Sequence, residues 1–229
     1  MAITSRPPIV AFLGHVDHGK TTLISKIKAI DLTRKEHGGI SQHSSAYQVV
    51  FQGKKITLID TPGHVVFAKM RSRGAKVADL IVLVVAVDEG VKPQTLESLS
   101  HIKKAKVPYL VAVNKMDLAD ANLERVKKDL VKNKIKIEDS GGDIVVVPVS
   151  AKTGKGVDQL LEMILLLAQM AELKANSEAK LEAVVIDSKL DQTKGPVATV
   201  LVRNGHLRIG DEIAPEKVGA KIKAMSDEN

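Results

Sequence analysis

The feature that most constrains the fold is an alternation of apolar strand patterns with amphipathic helical patterns up to about residue 174. Runs such as "IVAFLG", "DLIVLVVAV" and "YLVAVNK" alternate with patterns such as "TTLISKIKAI" and "NLERVKKDLVKN". Parallel strands need crossover connections, which are usually helices that cover both faces of the sheet. The alternation therefore predicts an α/β fold with a doubly wound, mostly parallel sheet.

One stretch departs from this alternation. The runs "YQVVFQ" and "KITLID", between Tyr47 and Asp60, are joined by "GK" without an intervening helix. A short glycine-containing connection between two strand patterns is typical of a β-hairpin. We therefore expect one antiparallel strand in the sheet.

The pattern changes again after residue 174. The segment "KANSEAK" has no apolar periodicity, and only strand and turn patterns follow it, with Asn204 and Gly205 predicted to form a hairpin turn. We expect a first domain over residues 1–174, a linker over 175–180 and the N-terminal part of a β-barrel-like domain over 181–229. This second domain looks cut short, because a closed barrel must hide its edge strands.

Composition limits the compartment and the partners. The chain has no cysteine, and its longest apolar run, Leu80–Val87, is far shorter than the roughly 20 residues that span a bilayer. We expect a cytoplasmic, soluble protein. The net charge of +7 fits either a polyanionic partner such as RNA or a well-solvated surface, and composition alone favours the surface. With 2% aromatic residues, base stacking is a poor candidate for recognition.

The stretch "GHVDHGKT", Gly14 to Thr21, follows a strand and opens a helix, as a phosphate-binding loop requires. Glycines let backbone N–H groups surround phosphate oxygens, and the helix dipole adds positive charge. Lys20 is expected to reach the β- and γ-phosphates and Thr21 to bind Mg²⁺. A transition-metal site at His15, Asp17 and His18 is the weaker alternative, because no further ligands cluster nearby. The predicted nucleotide-binding residues here are Gly14, Asp17, His18, Gly19, Lys20, Thr21 and Thr22.

Two later motifs indicate which base is bound. In "NKMD", directly after the strand "YLVAV", the Asp117 carboxylate can accept the N1–H and N2–H₂ donors of guanine, a pair that adenine lacks. Lys115 would lie along the base plane, and Asn114 would tie the base pocket to the phosphate loop. The segment "SAK", Ser150, Ala151 and Lys152, can offer backbone N–H groups to guanine O6. An ATP-dependent enzyme remains the alternative, and Asp117 argues against it.

The segment "DTPGH" ends the strand "KITLI". Asp60 is placed to hold Mg²⁺ through water, and the Gly63 N–H could sense a γ-phosphate. His64 could orient the attacking water or handle a proton. Between this motif and the phosphate loop lies "KEHGGISQHSSAY", Lys35 to Tyr47, which has no apolar period and which we interpret as the first switch segment.

Taken together, "GHVDHGKTT", "GGISQHSSAY", "DTPGH", "PQT", "NKMD", "LKAN" and "GPVATVLV" resemble the GTPase region of bacterial translation initiation factor two, across nearly the whole chain. The phosphate loop and "NKMD" are shared with elongation factor Tu and other translational GTPases. The pairing of "GGISQH" with "RGA" and "LKAN" indicates the initiation factor specifically. The resemblance implies a P-loop GTPase fold and hydrolysis of GTP that is slow unless the ribosome stimulates it.

The resemblance also implies partners and further site residues. The factor helps place initiator tRNA on the small ribosomal subunit and promotes subunit joining, and it contacts the tRNA through domains that are not in this chain. We expect a monomer with no membrane association. Val16 and Ile40 match the family's hydrophobic gate beside His64, and Asp17 matches a residue linked to a monovalent cation. The expected cofactors are therefore GTP or GDP, Mg²⁺ and a monovalent cation near Asp17.

Two positions depart from the family pattern. Ser41 stands where the family usually has threonine, and Val65 stands where it usually has an acidic residue. Serine keeps the hydroxyl that can ligate Mg²⁺, so the predicted metal ligands are Thr21, Ser41 and Asp60. Nothing in the sequence explains Val65.

Two functional alternatives remain: a guanine-nucleotide binding module that signals by assembly, with little turnover, and another translational GTPase. His64 favours hydrolysis over the assembly module. The basic residues between Arg125 and Lys136 fit either ribosomal RNA or solvent.

Overall fold

The computed structural model describes residues 3–34, 46–59, 78–213 and 219–226. None of the helices within these ranges could serve as a membrane-spanning segment. The helices are α1 (Lys20–Arg34), α2 (Pro93–Ala105), α3 (Leu123–Lys132) and α4 (Val157–Met170), with a short 3₁₀ helix at Glu138–Ser140. The strands are β1 (Ile3–Ser5), β2 (Ile9–Gly14), β3 (Ala46–Phe51), β4 (Lys54–Ile59), β5 (Leu80–Ala86), β6 (Tyr109–Asn114), β7 (Val146–Pro148), β8 (Lys174–Asn176), β9 (Glu182–Asp191), β10 (Gly195–Asn204), β11 (Glu212–Ile213) and β12 (Ala220–Lys221).

Six strands form the central sheet, in the order β3-β4-β2-β5-β6-β7. Every neighbouring pair is parallel except β3 with β4, which is antiparallel. The predicted doubly wound, mostly parallel sheet with one antiparallel strand is therefore confirmed. All residues of β2 and β5 are buried, because both strands lie inside the sheet and are covered on both faces.

The two faces of the sheet carry separate apolar layers. Along β2, Val10 and Phe12 pack with residues of α1 and α4, whereas Ala11 and Leu13 pack with residues of α2 and α3. This alternation follows from the two-residue period of a strand. Burying each large apolar side chain in these layers contributes about 1.5–3 kcal/mol. The helices thus hold the carboxyl ends of β2, β5 and β6 at one edge of the sheet.

The hairpin between β3 and β4 turns one residue earlier than the sequence predicts. Gln52 and Gly53 form the turn, with φ of 49° and 74°, and Lys54 already belongs to β4. A two-residue hairpin turn with both φ values positive matches the twist of its strands. The expected "GK" connection is therefore corrected to Gln52–Gly53.

The prediction of a hairpin turn at Asn204 and Gly205 is wrong. The strand after them, β11, pairs with β12, and the hairpin partner of β10 is β9. Asn204 instead accepts a hydrogen bond from the Asn176 N–H, and the Gly205 N–H donates to the Asn176 carbonyl. A Cβ on Gly205 would lie 2.7 Å from the Ala179 carbonyl oxygen, so close docking against the preceding segment explains this glycine.

The segment predicted as a linker begins in a strand. Residues 174–176 form β8, which pairs antiparallel with β1, so the chain leaving α4 is held against the N-terminal strand. After it, the described residues form two antiparallel strand pairs, β9 with β10 and β11 with β12, in agreement with the predicted β-rich second part. The boundaries 1–174, 175–180 and 181–229 stay predictions.

A buried carboxylate joins the sheet to β10. Asp79, directly before β5, accepts hydrogen bonds from two nitrogens of Arg6 at 2.6 and 2.7 Å. It also accepts from Arg203 at 2.8 Å and from the Ile9 N–H at 3.0 Å. Beside it, Leu201 packs on two residues of the sheet, Ile9 and Ile59.

Candidate functional site

The predicted phosphate loop leaves β2 at the edge of the sheet where β5 also ends. Gly14 has φ of 139°, and a Cβ there would lie 2.2 Å from the Val84 carbonyl oxygen. Gly19 has φ of 83°, and a Cβ there would lie 2.3 Å from the Asn114 side-chain nitrogen. Both glycines are therefore required by close approach as well as by backbone conformation. The Leu23 N–H donates to the Gly19 carbonyl and so begins the hydrogen bonding of α1.

Lys20 lies at the start of α1, and its side chain turns back into the loop. Its ammonium donates hydrogen bonds to the carbonyls of Gly14, at 3.0 Å, and of His15. The positive charge of the lysine thus sits within the loop, as the phosphate-binding prediction requires. Thr21 and Thr22 follow it, and both are exposed on the first turn of the helix.

His18 has no exposed surface. Its Nδ1 lies 3.2 Å from the Val84 carbonyl oxygen, and since a carbonyl only accepts, Nδ1 carries the proton. Burial lowers the pKa of His18, so the ring is neutral at pH 7. The side chain therefore fixes the loop to β5 instead of facing the predicted nucleotide.

Asn114, the last residue of β6, joins three segments of the site. Its Nδ2 donates to the His18 carbonyl at 2.9 Å, and its Oδ1 accepts from the Ala151 N–H at 2.9 Å. The side chain is 2% exposed, so both bonds are protected from water. Asn114 thus ties the predicted base pocket to the phosphate loop. The Ala151 N–H, which the sequence predicts to face guanine O6, is engaged by this bond.

The carboxylate of Asp117 is oriented by the segment after β7. The Ser150 hydroxyl donates to Asp117 Oδ1 at 2.6 Å, and this hydrogen bond lowers the pKa of Asp117. Ser150 also accepts a hydrogen bond from the Thr153 N–H at 3.1 Å, which fixes the hydroxyl in turn. Asp117 is exposed, so its remaining acceptor positions face solvent as a base-reading carboxylate must. Lys152 is exposed beside it.

Lys115 has φ of 66°, an uncommon conformation for a residue with a side chain. Its ammonium lies 3.0 Å from Asp88 Oδ2 and 3.6 Å from Glu89 Oε1. Burial opposes the charge of Lys115, but the hydrogen bonds and charges of the two carboxylates outweigh it, so the pKa of Lys115 is raised. The lysine is held by acidic residues that follow β5.

Val16 is the exposed tip of the phosphate loop. Its side chain is 56% exposed, and its N–H donates to Gln94 Oε1 of α2 at 3.0 Å. Asp17, with φ of 62°, is exposed next to it. The second residue of the predicted gate, Ile40, lies outside the described residues, as do Ser41, Asp60, Gly63, His64 and Val65.

The sequence reasoning missed three residues that support the site: Asp88, Glu89 and Gln94. Their signal was available, since Asp88 and Glu89 directly follow a buried strand and Gln94 stands in the quoted motif "PQT". The described residues contain no group of three or more histidine, cysteine or acidic side chains arranged to hold a metal. A cleft of about 300 Å³ lies between Glu89, Gly90 and α3, and none of the residues of the predicted motifs line it.

Comparisons with known proteins show the family to which the chain belongs. The family described as "Elongation factor Tu GTP binding domain" matches residues 5–170, and the family "Elongation factor G domain 2" matches residues 180–229. The chain is 52% identical over 97% of its length to translation initiation factor IF-2 of Desulforamulus reducens, and 53% identical over 97% to that of Thermosipho africanus. It spans 23% and 32% of the lengths of these two relatives.

Two solved structures are also similar. The GDP-bound aIF5B from Aeropyrum pernix superposes with a TM-score of 0.75 and 33% identity, over 91% of this chain and 44% of that one. Translation elongation factor SelB from Methanococcus maripaludis, in complex with the GTP analogue GPPNHP, superposes with a TM-score of 0.70 and 28% identity, over 96% and 47% of the two chains.

Proposed function

Because the chain belongs to the family of elongation factor Tu GTP-binding domains, we propose that it binds GTP and GDP and hydrolyses GTP as the core of a translation initiation factor. The observation that carries the proposal is the double hydrogen bond of Asn114, which brings the phosphate loop and two base-reading segments to one place. ATP fits this site less well, because adenine lacks the pair of donors from which the exposed Asp117 carboxylate could accept hydrogen bonds.

We propose the following roles for the predicted phosphate-binding residues. Lys20 would exchange its two carbonyl partners for β- and γ-phosphate oxygens, which are stronger acceptors. The N–H groups of Gly19, Lys20, Thr21 and Thr22 at the start of α1 would add their dipoles. Binding and orientation of the phosphates would supply most of the catalytic effect that the described residues contribute.

Mg²⁺ fits the exposed Thr21 hydroxyl, which is an oxygen ligand of the kind this ion prefers. Ser41 would provide a second hydroxyl ligand, and Asp60 would hold the ion through water. When bound, the ion would neutralise negative charge on the phosphate oxygens. A monovalent cation such as K⁺ near Asp17 would also neutralise negative charge on the phosphate oxygens. Measuring GTP turnover with K⁺ in the buffer replaced by a large organic cation tests for this ion.

His64 would orient the attacking water, with Val16 and Ile40 as the apolar gate beside it and Gly63 donating to the γ-phosphate. We propose that hydrolysis is slow until the ribosome places His64 for reaction. The partner would be the ribosome, and initiator tRNA would be bound by parts of the factor outside this sequence. The protein would act in the cytoplasm as a monomer, without membrane contact.

The test is GTP turnover by the 229-residue chain with and without ribosomes, with ATP as the control nucleotide. We expect slow release of phosphate from GTP alone, faster release with ribosomes, and loss of the stimulation in His64→Ala. Tight guanine-nucleotide binding without turnover under either condition would favour an assembly module over a GTPase.

A further inference from the structure

The segment "VDEGVKPQ", from Val87 to Gln94, comprises the connection between β5 and α2 and the first two residues of α2, and it touches both halves of the predicted nucleotide site. We propose that this segment positions the site: Asp88, with Glu89, holds Lys115 of the base-reading motif, and Gln94 holds the backbone of the phosphate loop at Val16. We call Val87–Gln94 the bracing segment. The inference rests on the proposed function, because it concerns the residues that would bind the guanine nucleotide.

The first contact acts on a side chain with many conformations. A lysine has four rotatable bonds, and fixing its ammonium restricts the path of its methylene groups. Asp88 fixes that ammonium at 3.0 Å, and Glu89 lies 3.6 Å from it. Glu89 is itself 3.4 Å from Lys92, so its position is also restrained. The stem of Lys115 is thereby placed before a base arrives, which reduces the entropy lost on binding.

The second contact acts on backbone. Val16 stands between His15, whose carbonyl accepts from Lys20, and Asp17, whose φ is 62°. The Val16 side chain is 56% exposed, so packing does little to hold this tip of the loop. The hydrogen bond from the Val16 N–H to Gln94 Oε1, at 3.0 Å, connects the tip to the first turn of α2.

The bracing segment is itself anchored, which a positioning role requires. The Val87 N–H donates to the Asn114 carbonyl at 2.9 Å, and the Val91 N–H donates to Asp129 Oδ2 of α3 at 2.7 Å. Gly90 packs so closely on α3 that a Cβ there would lie 2.7 Å from the same carboxylate oxygen of Asp129. These contacts, at the start and in the middle of the segment, therefore hold it against β6 and α3.

The experiment measures the dissociation rate of a fluorescent GDP from the 229-residue chain in Mg²⁺ buffer. Asp88→Ala is expected to raise the rate about two- to fivefold, the size expected for a partly exposed ion pair. Gln94→Met keeps the length of the side chain and removes the acceptor, and we expect a rise of about two- to tenfold. The matched control is Glu124→Ala, which removes the salt bridge to Lys127 on the surface of α3 and should leave the rate unchanged.

A double-mutant cycle separates positioning from a general loss of structure. In a Lys115→Ala background, Asp88→Ala should not raise the dissociation rate further, because the proposed action of Asp88 on the nucleotide is through the Lys115 side chain. Gln94→Met should still raise the rate in this background. Asp88→Asn, a milder change, serves in the same cycle if the alanine variant unfolds.

Three outcomes overturn the inference. The first is that the Asp88 and Gln94 variants release fluorescent GDP at the wild-type rate. The second is that Asp88→Ala raises this rate by the same factor in the Lys115→Ala background as in the wild-type chain. The third is failure of the wild-type chain to bind fluorescent GDP, which would also remove the proposed function. The first two would leave that function intact.

Discussion

At the scale of single residues, guanine recognition depends on Asp117. Its carboxylate is exposed but oriented by the Ser150 hydroxyl at 2.6 Å, and the hydrogen bond that lowers its pKa keeps it ionised and accepting. An ionised carboxylate can accept both N1–H and N2–H₂ of guanine at once. Hypoxanthine retains N1–H but lacks the N2 amino group, so it isolates one of the two bonds.

Replacing Asp117 by alanine should remove discrimination between GTP and inosine triphosphate. A hydrogen bond to a charged group is worth about 1.5–3 kcal/mol, so the wild-type chain should prefer GTP by roughly tenfold to a hundredfold. Displacement of fluorescent GDP by the two triphosphates measures the ratio. Asp120→Ala, an exposed acidic residue nearby, should keep the wild-type preference. An unchanged ratio in Asp117→Ala would exclude this carboxylate as the base reader.

Gly14 and Gly53 provide a matched pair for testing close packing in the phosphate loop. Both have positive φ, at 139° and 74°, but a Cβ on Gly14 would lie 2.2 Å from the Val84 carbonyl oxygen, whereas a Cβ on Gly53 meets nothing within 4 Å. Gly53→Ala should cost about 1–2 kcal/mol of unfolding free energy from backbone strain alone. Gly14→Ala adds the collision and should cost more than about 4 kcal/mol. Urea denaturation compares the two variants, and equal losses would contradict the packing.

At the scale of elements, His18 connects the phosphate loop to β5. Its folded pKa lies below the ordinary value of 6.5 because of burial. The unfolded chain therefore binds more protons at this group as pH falls below 6.5, and the stability that neutral His18 provides is lost in that direction.

We expect wild type to lose unfolding free energy between pH 8 and pH 5.5, and His18→Gln to lose less over the same interval. The measurement is urea denaturation at each pH, compared with His206→Gln as a surface control. The same pH dependence in His18→Gln and wild type would contradict a buried neutral imidazole.

Elements that depend on local pattern were predictable from sequence. The strands β2 and β5 were predictable because long apolar runs indicate burial on both faces of a sheet. The phosphate loop was predictable because the spacing of its glycines indicates close backbone contact. The turn at Asn204 and Gly205 was predicted wrongly, because the same dipeptide here serves docking onto residues distant in sequence. The positions of Asp88 and Gln94 next to a strand end and in a quoted motif were visible in the sequence, but their partners were not, since no local period encodes a hydrogen bond across 78 residues, as for Gln94, or 27, as for Asp88.

At the scale of the whole molecule, Asp79 connects the sheet with β10. Its carboxylate is 5% exposed and accepts from Arg6, Arg203 and the Ile9 N–H. Removing the Asp79 carboxylate would take away the anion that the guanidinium groups of Arg6 and Arg203 share.

Asp79→Ala should lower the unfolding free energy by about 3–5 kcal/mol, because it removes the buried anion that Arg6 and Arg203 share. Arg203→Leu removes one bond and keeps Arg6 paired, so a smaller loss of about 1–2 kcal/mol is expected. The control is Asp139→Ala, whose exposed pairing with Lys127 should be worth less than about 1 kcal/mol. Chemical denaturation monitored by circular dichroism tests the order, and similar losses in all three variants would contradict it.

We propose that three segments, the phosphate loop, residues 114–117 and residues 150–152, form one guanine-nucleotide site. Competition of GTP, GDP and ATP for a fluorescent guanine nucleotide bound to the wild-type chain is the decisive experiment. We expect GTP and GDP to displace the probe at concentrations at least about a hundredfold below those of ATP, because only guanine donates two hydrogen bonds to the Asp117 carboxylate. Equal displacement by ATP, or no binding of the guanine probe, would contradict it.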